Sequence, residues 1–129
     1  RLFNVYGPGQ RSGYFIPDKM AEAAKGKITL HGANTTKDWV YIADVARAFL
    51  LAMESPFVGA VNIGTGVETR LKAVVDRFGV PVDEHYTDNA TRMQADISRA
   101  LRVLGWKPKV TLLKGLHAVL DEAKSPALR

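Results

Sequence analysis

The sequence contains no cysteine, which excludes disulfides, thiolate nucleophiles and cysteine-bound zinc. Long apolar runs are missing too: stretches such as Ala48–Met53 fall far short of the roughly 20 residues a bilayer span needs, so no membrane partner is expected. Histidine is scarce. His31, His85 and His117 lie far apart, and none has the i, i+4 spacing of a helical metal pair, so no metal is implied. A basic n-region, a signal-peptide core and an initiator Met are all lacking; the sequence opens with Arg1-Leu2-Phe3-Asn4-Val5-Tyr6, which reads like the middle of a strand. A cytoplasmic fragment of something longer is the expectation. No strong charge cluster occurs either. Eighteen Lys and Arg against thirteen Asp and Glu leave a net charge of +5, which suits an anionic partner. Only Lys107-Pro108-Lys109 approaches a cluster, however, and no nucleic acid is expected.

What is present fits a single globular domain over residues 1–129, with 125–129 as a loose tail. The 129 residues are 47% hydrophobic and 24% charged, which excludes disorder and collagen-like repeats. Strand and helix patterns alternate, and the expected fold class is α/β. Arg1–Tyr6 reads as a strand, Gly7–Gly13 as a loop and Pro17–Lys25 as a helix stopped by Gly26. Strands follow at Lys27–His31 and Asp38–Ile42, with Asn34–Lys37 as polar loop between them. A helix opening near Asp44 places Val45, Phe49, Ala52 and Met53 at helical spacing. Ala60–Ile63 reads as a strand, Thr69 as the cap of a helix ending at Gly79, and Val82–Tyr86 as a further strand. Helices from Asp96 to Leu104, closed by Gly105, and from Leu112 to Lys124, with Leu113, Leu116 and Leu120 on one stripe, complete the chain.

Gly7, Gly9 and Gly13 lie between a strand and a helix, as in a dinucleotide fingerprint. Their spacing is one residue too long, Pro8 removes an amide, and no acid closes a second strand some 20 residues on, so the segment reads as an ordinary loop. Gly64-Thr65-Gly66 reads as a turn. No Tyr is followed four residues later by Lys, and no G-x-S-x-G elbow occurs. Asp83, Glu84 and Asp88 read as a solvated loop. Local chemistry therefore offers no active site.

Five blocks nevertheless resemble, in order, motifs of the NAD-dependent nucleotide-sugar epimerases and dehydratases, the extended short-chain dehydrogenase/reductases. Arg1 to Pro8 is similar to R-x-F-N-V-Y-G-P, and Ile16-Pro17 opens the helix after it. Lys37 to Ala46 resembles R-D-F-V-Y-V-x-D-V-A, and Asn62 to Gly66 is similar to N-I-G-T-G. Ala95 to Ala100 and Leu104 to Pro108 resemble A-D-I-S-K-A and L-G-W-x-P.

The resemblance implies the carboxy-terminal part of such an enzyme: a small substrate-binding lobe without the NAD-binding Rossmann half. NAD would belong to the intact family, with no cofactor held by this chain alone, because the glycine-rich NAD motif and the Tyr-x-x-x-Lys pair lie upstream in the family. It implies a nucleotide diphosphate sugar as ligand, with Asn4 near the pyrophosphate or sugar, Lys37 in place of an arginine on the diphosphate, and Arg92 as a second phosphate contact. Thr29 and His31 would lie along the base. Asp38, Trp39, Tyr41 and Trp106 read as packing residues. The chain by itself would not turn over substrate, and association with a missing NAD-binding half or with further copies is expected. A non-enzymatic oligomerisation or interaction module is the alternative.

Overall fold

The computed structural model describes residues 1–125 and divides them into two compact units, interleaved along the sequence. Residues 126–129 of the expected tail lie outside the described residues.

The first unit comprises residues 1–9, 38–67 and 94 onward. Strand β1 (Asn4–Tyr6) pairs in parallel with β4 (Trp39–Tyr41), in the register Asn4↔Trp39, Val5↔Val40, Tyr6↔Tyr41. Ala60–Ile63 does not form the expected strand. Ile63 makes a single parallel bridge to Leu2, with its amide and carbonyl paired to Arg1 and Phe3. Helix α2 (Ile42–Glu54) follows β4 directly. Helix α4 spans Ser98–Leu104, two residues inside the expected start, because Asp96 accepts the Ser98 N–H from outside the helix. Gly105 ends α4 at φ 61°, a left-handed conformation that costs glycine little. Helix α5 is Leu112–Lys124, capped by the Thr111 hydroxyl accepting from the Lys114 N–H. Val40, Val45, Ala48, Ile63, Ala100 and Trp106 form the core.

Two expected apolar stripes are corrected. On α2 the buried positions are Asp44, Val45 and Ala48, while Phe49 is 58% and Met53 82% exposed, and Ala52 is exposed as well. On α5 they are Gly115, Leu116 and Val119, with Leu113 exposed. Helical spacing identifies a face but not whether this unit covers it.

The second unit comprises residues 10–37 and 68–93. Helix α1 is Phe15–Ala24, two residues earlier than expected; Pro17 still falls in the first turn, where its missing N–H has no helical partner to lose. Strands β2 (Ile28–His31) and β6 (Val82–His85) pair in parallel, Ile28↔Val82 through His31↔His85. The open edge of β2 is covered by α1: Thr29 N–H donates to Glu22 at 2.9 Å and Lys19 donates to the Thr29 carbonyl at 2.6 Å, which hides groups that would otherwise template another strand. The Lys19 hydrogen bond, with a smaller contribution from the Thr29 amide, holds the Glu22 carboxyl below its ordinary value. The expected loop at 34–37 is instead partly strand: β3 (Thr36–Lys37) pairs antiparallel with β5 (Thr69–Arg70). Thr69 is therefore a strand residue and not a helix cap. Helix α3 is Leu71–Val75, extended by a 3-10 turn at Asp76–Phe78. Asp83 and Glu84 lie in β6, not in a solvated loop, and Glu84 pairs with Lys72 at 3.3 Å. Among the described residues, no helix is long and apolar enough to cross a membrane.

Candidate functional site

Four of the five expected site residues, Thr29, His31, Lys37 and Arg92, lie in the second unit; Asn4 lies in the first. Arg92 is the most developed of them. Its Nε donates to Glu68 Oε1 at 2.7 Å and its Nη2 to Oε2 at 2.6 Å, the bidentate fork that charge-assisted pairing favours. The Arg92 side chain is 80% exposed, whereas Glu68 is mostly buried. The Thr36 hydroxyl donates to the same Glu68 Oε1 at 2.5 Å. Arg92, then Thr36, pull the Glu68 carboxyl down to about 2, and Glu68 in turn raises Arg92 above its usual value.

That shift fixes a pH dependence. A carboxylate with a depressed native value adds stability that is fully present above its unfolded value and lost as pH falls through the native one. Urea midpoints of wild type and Glu68→Gln should therefore differ by a constant amount above the unbound value of 4.5 and converge as the pH falls towards about 2. A gap that persists unchanged to that pH would show that Arg92 and Thr36 do not hold the carboxylate.

Lys37 immediately follows Thr36 and is registered with Thr69. By strand alternation it takes the face opposite Thr36, away from the Glu68 network. His31 sits at the end of β2, its ring stacked on that of His85 at 4.8 Å between centroids and 23° between planes. One face of His31 is thus covered and its exposed side remains. Asp83 stands 3.6 Å from His85 and pairs with Lys27 at 3.4 Å. Thr29 has its amide engaged with α1, as above. In the first unit, Asn4 Nδ2 donates to the Asp38 carbonyl at 3.0 Å, tying β1 to the segment before β4.

Sequence reading missed Glu68, Thr36 and His85. Glu68 lies 32 and 24 residues from its two partners, and no local pattern signals such a pairing. Among the described residues, no group of three or more His, Asp and Glu side chains could hold a metal ion. The loop at 7–13 does not fit a dinucleotide pyrophosphate: Pro8 has no N–H, and the Gly13 N–H is already donated to Asp18 at 2.8 Å.

The buried polar residues of the first unit explain why the motif blocks occur together. Asp38, fully buried, accepts four hydrogen bonds: Oδ1 from the Thr65 amide and hydroxyl, each at 2.7 Å, and Oδ2 from Gly66 at 2.8 Å and Ala95 at 3.0 Å. A Cβ on Gly64 would lie 2.5 Å from the Ala95 Cβ and 3.1 Å from Asp38 Oδ2, so glycine lets the turn close over the carboxylate. Asp44 accepts from the Lys109 and Val110 amides, each at 2.9 Å, and from Arg47 at 2.7 Å. Its carbonyl accepts the Trp106 indole N–H at 2.9 Å. The two aspartates of one block thereby hold the next three.

Residues 1–64 match the NAD dependent epimerase/dehydratase family. The likeness to individual proteins continues beyond the matched residues. UDP-glucuronic acid decarboxylase 6 of Arabidopsis thaliana is 30% identical over 134 residues, covering 95% of this chain and 39% of the relative. The dTDP-L-rhamnose 4-epimerase of Burkholderia thailandensis is 33% identical over 132 residues, covering 90% and 36%. Among solved structures, the UDP-glucose 4-epimerase of Thermotoga maritima with UDP-glucose superposes with a TM-score of 0.81 at 30% identity, over 96% of this chain and 44% of that one. The α/β fold is therefore that of epimerase structures, and the chain spans under half the length of the relatives it matches.

Proposed function

We propose that the chain is the carboxy-terminal, nucleotide-sugar-gripping part of an NAD-dependent epimerase or dehydratase. The observation that carries this reading is similarity to nucleotide-sugar enzymes over nine-tenths or more of the chain, beyond the family match at its start. Arg92 supplies a fixed, exposed guanidinium for a diphosphate. Lys37, on the other face of β3 from the Thr36–Glu68 network, is assigned to the diphosphate on the R-D-F-V-Y-V-x-D-V-A likeness alone, as a point charge without the planar fork of arginine. The uncovered face of His31 stacks on the base, and the Thr29 hydroxyl lies beside it. Asn4, in the other unit, is assigned to the sugar or pyrophosphate on the strength of the R-x-F-N-V-Y-G-P likeness alone. Hydride transfer to NAD and the Tyr-x-x-x-Lys acid/base pair belong to the intact family, so the chain binds without turnover by itself.

A second reading is favoured by one feature of the first unit. Phe49, Leu50 and Met53 expose an apolar face on α2 beside a cavity of about 310 Å³ lined by Leu2, Ala48, Phe49, Phe57, Val61 and Leu104. Uncovered apolar surface of this kind marks association, with an NAD-binding half, with further copies, or as a stand-alone interaction module.

Thermal unfolding with UDP, dTDP, GDP, ADP, NAD and a short DNA duplex separates the readings. A ligand at about 100 times its dissociation constant stabilises the fold by about 2.7 kcal/mol. A rise in Tm with one nucleoside diphosphate is expected and names the base. No rise with any of them contradicts nucleotide-sugar binding and leaves the interaction module.

A further inference from the structure

Residues 86–93, around Arg92, form no helix or strand, so the position of the guanidinium depends on what holds this segment. Thr36 holds it on both sides. Its amide donates to the Thr91 carbonyl at 3.0 Å, and its hydroxyl oxygen accepts the Met93 N–H at 3.3 Å. The same hydroxyl donates to Glu68 Oε1, and Glu68 takes Nε and Nη2 of Arg92. Backbone on either side of Arg92 and the guanidinium itself thus converge on one buried threonine.

We propose that Thr36 and Glu68 form a clamp that orients the Arg92 guanidinium for an anionic ligand; this rests on the reading of Arg92 as a diphosphate contact. A guanidinium has five N–H donors. The fork on Glu68 uses Nε and one donor of Nη2, leaving both donors of Nη1 and the second of Nη2 for phosphate oxygens. An arginine already immobilised avoids the entropy that a free, rotamer-rich side chain loses on binding. Glu68 also places a negative charge near the ligand, which opposes anion binding, so the clamp acts through orientation and not through net charge. Thr36 and Glu68 are positioning residues and do not themselves contact the ligand.

Calorimetric titration of UDP into the 129-residue chain and its variants tests this. Thr36→Val removes the hydroxyl at constant volume; Glu68→Asp keeps the charge but shortens the arm. Each should weaken UDP binding about 3- to 10-fold, and Thr36→Ser should restore it to within about twofold. Uridine, without phosphate, should bind equally to all of them. Arg92→Ala should weaken UDP more than either, and adding Thr36→Val to it should cost nothing further. If wild type binds none of UDP, dTDP, GDP and ADP, or Arg92→Ala leaves the affinity for the one it binds unchanged, the Arg92 reading falls and the clamp with it. A wild type that binds another of these diphosphates in place of UDP is titrated with that one. If Arg92→Ala weakens binding while Thr36→Val and Glu68→Asp bind as wild type or tighter, the clamp alone is overturned. Glu68→Asp carries the test should Thr36→Val fail to fold.

Discussion

Replacing Asp38 by asparagine should destabilise the protein by about 3–5 kcal/mol, since a hydrogen bond to a charged group contributes about 1.5–3 kcal/mol and a buried donor left unpaired costs a similar amount. The carboxylate accepts four hydrogen bonds, two on each oxygen. Asparagine keeps one acceptor oxygen and turns an NH₂ group towards the remaining donors, either Thr65 or the amides of Gly66 and Ala95. Gly64 leaves no slack, because the turn packs against both Asp38 and Ala95. With typical domain stabilities of about 5–15 kcal/mol, the urea midpoint should fall to a fraction of the wild-type value. A loss under about 1 kcal/mol would mean that the turn relaxes away from position 38 at little cost.

Trp106→Ala should cost about 3–5 kcal/mol, the range for removing a fully buried tryptophan. The ring is wholly enclosed among Val40, Val45, Ala48, Ile63 and Ala100, with the Arg47 guanidinium 5.8 Å above it. Arg47 is itself held by Asp44 and the Lys107 carbonyl. Trp106→Phe separates volume from polarity: it keeps most of the packing but strands the Asp44 carbonyl that the indole N–H serves, and should cost about 1–3 kcal/mol. Urea unfolding followed by circular dichroism measures both. Equal losses for the two variants would show that the hydrogen bond dominates and the ring volume does not.

Both effects bear on what could be read from the sequence. Helix α5 was legible to its ends because leucines recur there at helical spacing, although Leu113 of that stripe is exposed. Strands β2 and β6 were legible to within a residue, β2 from Ile28 and Thr29 between Gly26 and Gly32 and β6 from Val82 directly after Pro81. Thr36–Lys37 was not, since two polar residues become a strand only by pairing with Thr69–Arg70, more than thirty residues away. Phe49 and Met53 followed the helical period yet are exposed, because periodicity reports amphipathicity and not what covers the face. At the candidate site, the cations Lys37 and Arg92 were visible through family likeness. Glu68, Thr36 and His85 were not, for each acts through a partner distant in sequence. The likeness of the blocks also mixes two kinds of residue: Asp38, Asp44, Gly64 and Trp106 join segments of the fold, whereas Arg92 presents donors to solvent.

The most direct test is a map of amide and arginine side-chain NMR shifts on titration with UDP. Nucleotide-diphosphate binding predicts perturbations at Arg92 Nε and at the amides of Thr29, His31 and Lys37, with the Phe49–Phe57 face of the first unit unmoved. Shifts confined to that apolar face, or none with any of UDP, dTDP, GDP and ADP at saturation, would contradict it.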